Sequence, residues 1–200
     1  MTDPNLGNRL ALPHVTLCAV SSVNVAATLR AMEISLQQVA FGACKLFTNS
    51  ISESGHPDIA VVPIPKLVSS EQYSHFLLSK LADHIDTSHC LVVQWDGHVI
   101  DVTRWDPDFL AYDYVGARWP QFSDGWDVGN GGFSLRSRRL MKTVQEAGFR
   151  SAHPEDIAIG RINRGWLEDR GMRFAPGALA DRFSAERAGD PRSSFGYHGI

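Results

Sequence analysis

Two stretches carry residue types that could do chemistry: Asp127-Val128-Gly129-Asn130-Gly131-Gly132-Phe133-Ser134-Leu135 and, further along, His153-Pro154-Glu155-Asp156. Three glycines within four residues leave the backbone free to take positive φ and put no Cβ between it and a bound molecule. Phe133 and Leu135 around Ser134 alternate like a half-buried strand, so the glycines would form a lip over a pocket. A bulge or tight corner is the plainer meaning of paired glycines. Glu155 and Asp156 open a helix behind Pro154, a residue at home in a first helical turn. Acids there commonly serve only the helix dipole, yet a positioned carboxylate is also the usual group to take a proton.

The elements that must position these residues read as alternating strands and helices. His14 to Val20 is a β-branched, mostly apolar run suited to a strand buried on both faces of a parallel sheet. Val25, Leu29, Met32 and Leu36 then recur at helical spacing behind Asn24 as N-cap, and Cys44 to Thr48 gives a second strand. Strand, helix, strand in that order predicts a right-handed βαβ unit. Ile59 to Ile64 makes a short third strand. Ser69 and Gln72 have the spacing of a capping box, ahead of a helix with Tyr73, Phe76, Leu77 and Leu81 on its apolar face. Cys90-Leu91-Val92-Val93 is the most hydrophobic strand and should lie centrally. It runs into Gln94-Trp95-Asp96-Gly97, where polarity returns at once. Ligands of open α/β sheets bind beyond the carboxyl ends of strands, which places Asp96 where chemistry occurs; an Asp-Gly hairpin turn into His98-Val99-Ile100 is the competing meaning. Trp105, Tyr112, Tyr114, Trp119 and Trp126 make the following connection aromatic, suited either to stacking on a ligand or to plain packing. From Pro154 a helix is predicted with Ile157, Ile162 and Trp166 inward, and Arg173 to Phe183 suggests a short strand and a last helical turn.

Composition narrows the classes. The chain has 200 residues, 44% hydrophobic and 20% charged, enough for one domain with a sizeable core. Its formal charge is −3, so there is no basic field to hold nucleic acid. Cys18, Cys44 and Cys90 each sit inside an apolar run, the pattern of buried free thiols in a reducing compartment and not of a disulfide frame or a zinc site. No apolar run reaches the roughly eighteen residues a membrane span needs, which leaves a cytoplasmic location. Residues 1–12 read as a flexible tail and 13–200 as a single domain, and the abrupt stop at Phe195-Gly196-Tyr197-His198-Gly199-Ile200 reads as the truncated end of a longer protein.

Four elements thus stand in a fixed order: Asp96 after a central strand, the glycine lip, the acidic pair, and His198 near the end. That order resembles the GT-A fold nucleotide-sugar glycosyltransferases. More narrowly, Val92 to Gly97, Gly129 to Ser137, His153 to Asp156 and Phe195 to Gly199 look like a family of little-characterised bacterial glycosyltransferases, over a span from about Leu12 to the last residue.

The resemblance implies a Rossmann-like α/β fold with a mostly parallel sheet flanked by helices. It implies a nucleoside diphosphate sugar as donor, UDP-linked hexose foremost, and a glycan, a lipid-linked or another hydroxyl as acceptor. In such enzymes an Asp-any-Asp motif after the fourth strand holds a divalent metal; the matching residues here are Gln94-Trp95-Asp96, an amide replacing the first acid. Asp96, with His198 matching the C-terminal histidine of many of these folds, would hold Mn2+ or Mg2+. Asp156 takes the position of the base and Glu155 orients it or contacts a sugar. One base without a nucleophile implies single displacement with inversion. Gly131 and Gly132 would face a sugar, Val20, Ser21 and Ser22 would hold the base and ribose, and Thr48, Asn49 and Lys80 are weaker candidates for the donor. Two other readings stand beside this one. The loss of an acid at Gln94 suits a nucleotide-sugar-binding protein with weak or no turnover. A nucleotidyltransferase shares the architecture, but Ser21-Ser22-Val23-Asn24 lacks the basic, glycine-rich loop it needs.

Overall fold

The computed structural model describes residues 9–50 and 56–199. Strand β1 (Leu10–Val20) leads through α1 (Val25–Gln38) to β2 (Val39–Thr48), and β3 (Ala60–Pro63) follows. Helix α2 (Ser70–Ser79) and a 3-10 turn at Leu81–His84 precede β4 (His89–Val93), after which come β5 (Gly97–Val99), β6 (Tyr114–Val115) and β7 (Phe133–Ser137). The rest comprises α3 (Arg138–Thr143), α4 (Glu155–Ile157), α5 (Arg164–Glu168), α6 (Gly177–Phe183), β8 (Ser184–Ala185) and β9 (Gly196–His198).

The main sheet has six strands in the order β3-β2-β1-β4-β7-β6. β1 pairs in parallel with β2 and β4, and β2 with β3; β7 runs antiparallel to β4, and β6 to β7. This is the expected mostly parallel sheet. Alternation along β1 and β4 builds a core on each face. Leu17, Ala19, Leu91 and Val93 join Met32 and Leu36 of α1 on one side. Cys18, Val20, Cys90 and Val92 join Phe76 and Leu77 of α2 on the other. A strand covered on both faces has no polar side to show, which is why β1 and β4 read as continuous apolar runs.

Several expectations are corrected. β1 starts earlier than His14, so the tail expected over 1–12 overlaps it: Leu10, Ala11 and Leu12 pair with Val39, Ala40 and Phe41. Residues 1–8 of that tail lie outside the described ones, as does Ile200 at the other end. Asn24 precedes α1 without a side-chain cap; its carbonyl accepts from the backbone and hydroxyl of Thr28 instead. Ser69 does cap α2, accepting from the Gln72 backbone, but the Gln72 side chain closes on Val68 N. β7 is buried throughout, not half-buried, because β4 and β6 flank it and α4 covers the face opposite Phe133 and Leu135. The Asp96-Gly97 turn makes no hairpin with β4, since β5 pairs with β9 in a small second sheet of order β5-β9-β8. The helix expected from Pro154 is broken: after α4 a π-helical turn spans Ala158–Ile162, and the wider turn leaves Ile162 41% exposed where it was expected inward. The strand expected near Arg173 shrinks to a bridge between Phe174 and Tyr114.

Candidate active site

Strand order reverses between β1, which is followed through α1 by β2 on one side, and β4 on its other side. Such a switch point opens a crevice at the carboxyl ends of the strands. A cavity of about 360 Å³ lies there. Val20, Ser21 and Ser22 from the end of β1 and Gln94 and Trp95 from the end of β4 line it, and the start of α2 closes it with Ser69, Ser70 and Tyr73. Ser22 Oγ accepts from Leu67 N at 3.0 Å, holding the wall ahead of α2 against β1. Val23, Val68 and Trp95 are 83%, 71% and 46% exposed at this rim. Large apolar side chains exposed around a crevice that also carries serine hydroxyls suit a flat, partly apolar ligand.

Behind Trp95, Gln94 donates from Nε2 to the Tyr73 hydroxyl at 2.9 Å, and its Oε1 lies 3.1 Å from His198 Nε2. His198 Nε2 also stands 3.3 Å from Asp96 Oδ1, and Nδ1 stands 3.6 Å from Glu186 Oε1. β9 brings His198 here by pairing its Gly196–His198 with β5, and Gly199 N donates to the Asp96 carbonyl. Asp96 Oδ1 and His198 Nδ1 are buried yet meet no partner with hydrogen-bond geometry. Burial by itself would lower the His198 pKa; contact with Glu186 and the charges of Asp96 and Asp156 outweigh it and raise the pKa. An amide at 94 has a structural use, since a carboxylate could not donate to the Tyr73 oxygen while facing the imidazole.

The acidic pair forms a second cluster. Glu155 is 4% exposed and Arg136 1%. Arg136 Nη2 donates to Glu155 Oε1 at 2.9 Å, and Ser74 Oγ donates to Oε2 at 3.3 Å. Ser74 Oγ also lies 2.8 Å from His153 Nδ1. Both carboxylate oxygens of Glu155 are thus engaged inside the protein, an arrangement that suits a positioning role. Asp156, half-buried, accepts from Gly131 N at 3.3 Å and from Ile157 N at 2.8 Å. Desolvation first, then the charge of Glu155, raise its pKa.

The lip joins the two clusters, though not in the expected way. Its positive φ belongs to Asn130, at 61°, and not to a glycine. A Cβ on Gly131 would strike the Glu155 carboxylate, one on Gly132 the His198 ring, and one on Gly129 the Trp119 ring. The glycines thus make room for the protein's own groups, and the space expected to admit a sugar is filled by Glu155 and His198.

Thr48, Asn49 and Lys80 do not join the site. Thr48 is buried, with its hydroxyl accepting from Ser50 N and its carbonyl from Ile64 N, and Asn49 is exposed. Lys80, at the end of α2, lines a different cavity. Tyr73, Ser74, Arg136 and Glu186 were missed as site residues. Arg136 had a signal: a cation flanked by Leu135 in an apolar strand must be paired when the strand is internal. Glu186 had none, since its loop has no pattern.

A family model described as "Protein of unknown function (DUF5672)" matches residues 58–198. Among curated proteins nothing matches. Among solved structures, a mannosyltransferase from Pyrobaculum calidifontis, determined with GDP-Man and Mn2+, is similar at TM-score 0.53 and 10% identity, over 84% of this chain. The chain spans only 56% of that protein's length. A glycosyltransferase involved in glycosylation of the major capsid of PBCV-1 matches at TM-score 0.52 and 12% identity, over 92% of this chain and 91% of its own. At such identities the likeness is one of fold, and the fold is that of glycosyltransferases.

Proposed function

The chain belongs to the DUF5672 family, and from the fold and the site together we propose that it is a glycosyltransferase taking its sugar from a nucleoside diphosphate sugar. The observation that carries this is the placement of Asp96, whose buried Oδ1 lacks a hydrogen-bond partner, and of His198 Nε2 facing it, beside an apolar-rimmed crevice at the strand-order switch. In this reading Trp95 and Val23 flank the base, Ser21 and Ser22 meet the ribose, and the donor is a UDP-linked hexose. The acceptor is a hydroxyl of a glycan or a lipid-linked sugar. The three cysteines are buried free thiols, which fits the reducing cytoplasm.

Among the described residues no group of three or more His, Cys, Asp or Glu gathers as a ready metal site. One carboxylate and one imidazole facing each other at 3.3 Å nonetheless fit Mn2+, or less well Mg2+, as a partial shell completed by water and diphosphate oxygens. A divalent ion there would supply positive charge to the leaving diphosphate. Gln94 holds the imidazole at Nε2, and the Glu186 carboxylate faces its Nδ1 at 3.6 Å. Asp156 is the general base of a single, inverting displacement, and its raised pKa strengthens it as a proton acceptor. Glu155, locked by Arg136 and Ser74, positions it.

One observation favours a weaker catalyst: His198 Nε2 already has Gln94 Oε1 at 3.1 Å, so holding an ion by that atom requires breaking the contact. A panel of nucleotide sugars with Mn2+ decides the matter. Nucleoside diphosphate release is expected, and Asp156→Asn should lower it by about 10²–10⁴ while donor binding by calorimetry persists. Undiminished turnover in that variant refutes the base, and a failure to bind any nucleotide sugar refutes the proposed donor and with it this function.

A further inference from the structure

The two faces of α2 differ in what they meet. Tyr73 and Ser74 point to the site just described, whereas Gln72, His75, Phe76 and Lys80 line a separate cavity of about 520 Å³ on the other face. Ile64, Pro65, Leu67 and Phe76 give it apolar walls, and Leu67 is shared with the first cavity. Lys66, Lys80, His75 and His84 stand around these walls, and among the described residues no Asp or Glu lines the cavity. The chain has four lysines. Lys45 and Lys142 have acidic partners in Asp86 and Asp83; among the described residues Lys66 and Lys80 have none. Both of these lysines thus border one apolar cavity, in a chain whose net charge is −3.

We propose that this cavity binds the apolar chain of a phosphate monoester amphiphile, with the phosphate held by Lys66 and Lys80. Apolar walls select a hydrocarbon body, each buried methylene tightening binding about fourfold. Two ammonium groups match a dianionic head better than a singly charged carboxylate, and two imidazoles add hydrogen-bond donors. The site is independent of the transferase reading, because it shares neither Asp96, Asp156 nor His198.

The test uses the full chain and monomeric alkyl phosphates from octyl to dodecyl, by calorimetry at low and high salt. Saturable one-to-one binding is expected, tightening with chain length and weakening with salt. Lys66→Glu/Lys80→Glu should weaken dodecyl phosphate at least about tenfold, as the loss of two charged donors requires. Lys66→Ala/Lys80→Ala serves if circular dichroism shows the first variant misfolded. Nucleotide-sugar binding should be unchanged in both. Equal affinity for an uncharged dodecyl glycoside, equal affinity for inorganic phosphate, or undiminished binding by the folded double variants each overturns the proposal. Binding confined to vesicles containing phosphatidic acid, without uptake of the monomer, overturns it in favour of a membrane-surface patch.

Discussion

Asp156 is held where its charge is costly. Desolvation and the neighbouring Glu155 carboxylate raise its pKa in the folded chain above that of an unfolded one. The folded state therefore favours the protonated acid, so stability is fullest below the ordinary carboxylate range and falls as pH rises through the folded pKa. Asp156→Asn removes that cost. Its midpoint of thermal unfolding should exceed that of the parent at pH 7, and the difference should vanish at pH 3. A variant that is less stable at pH 7 would mean the bonds from Gly131 and Ile157 outweigh the burial penalty. The opposite signs expected for stability and turnover are those of a residue kept for chemistry against its own comfort in the fold.

At the scale of elements, the junction of β7, α4 and β9 depends on missing side chains. A methyl at 132 would fall on the His198 ring. Gly132→Ala should cost roughly 1–3 kcal/mol in urea unfolding, as overpacking does. His198→Ala in the same chain should return most of it, because the two positions share one space. A harmless Gly132→Ala, or no recovery in the double variant, contradicts the contact. The long strands beside this junction were legible because burial on both faces writes an unbroken apolar run, as in β4. β5 and β9 were not: each is three residues, and Gly97 pairs with His198 across half the length of the chain, leaving no local periodicity. His198 was legible only by resemblance, and its partner Glu186 not at all. The glycines were noticed for the right reason, a need for space, and assigned the wrong occupant.

Across the whole molecule, one buried ion pair ties the central sheet to both sides of the site. Arg136 on β7 donates to Glu155 at the start of α4, which Ser74 of α2 also reaches. The pair is almost wholly out of water, at 1% and 6% side-chain exposure. Two such charges cost about as much to desolvate as they gain from each other, so their use is positional more than stabilising. That argument separates two outcomes. Arg136→Met alone leaves a buried carboxylate without its cation and should cost about 3–5 kcal/mol in urea unfolding, while Arg136→Met with Glu155→Leu should come back close to the parent. The double variant should fold with its unfolding still cooperative, yet lose turnover, because the start of α4 and the carboxylate of Asp156 behind it are then held only by the backbone bonds from Glu155 N to Ser74 and from Gly131 N to Asp156. If the double variant keeps full turnover, the pair does not position the base. If it is as unstable as the single one, the pair holds the sheet to α2 and α4 by more than its own mutual charge.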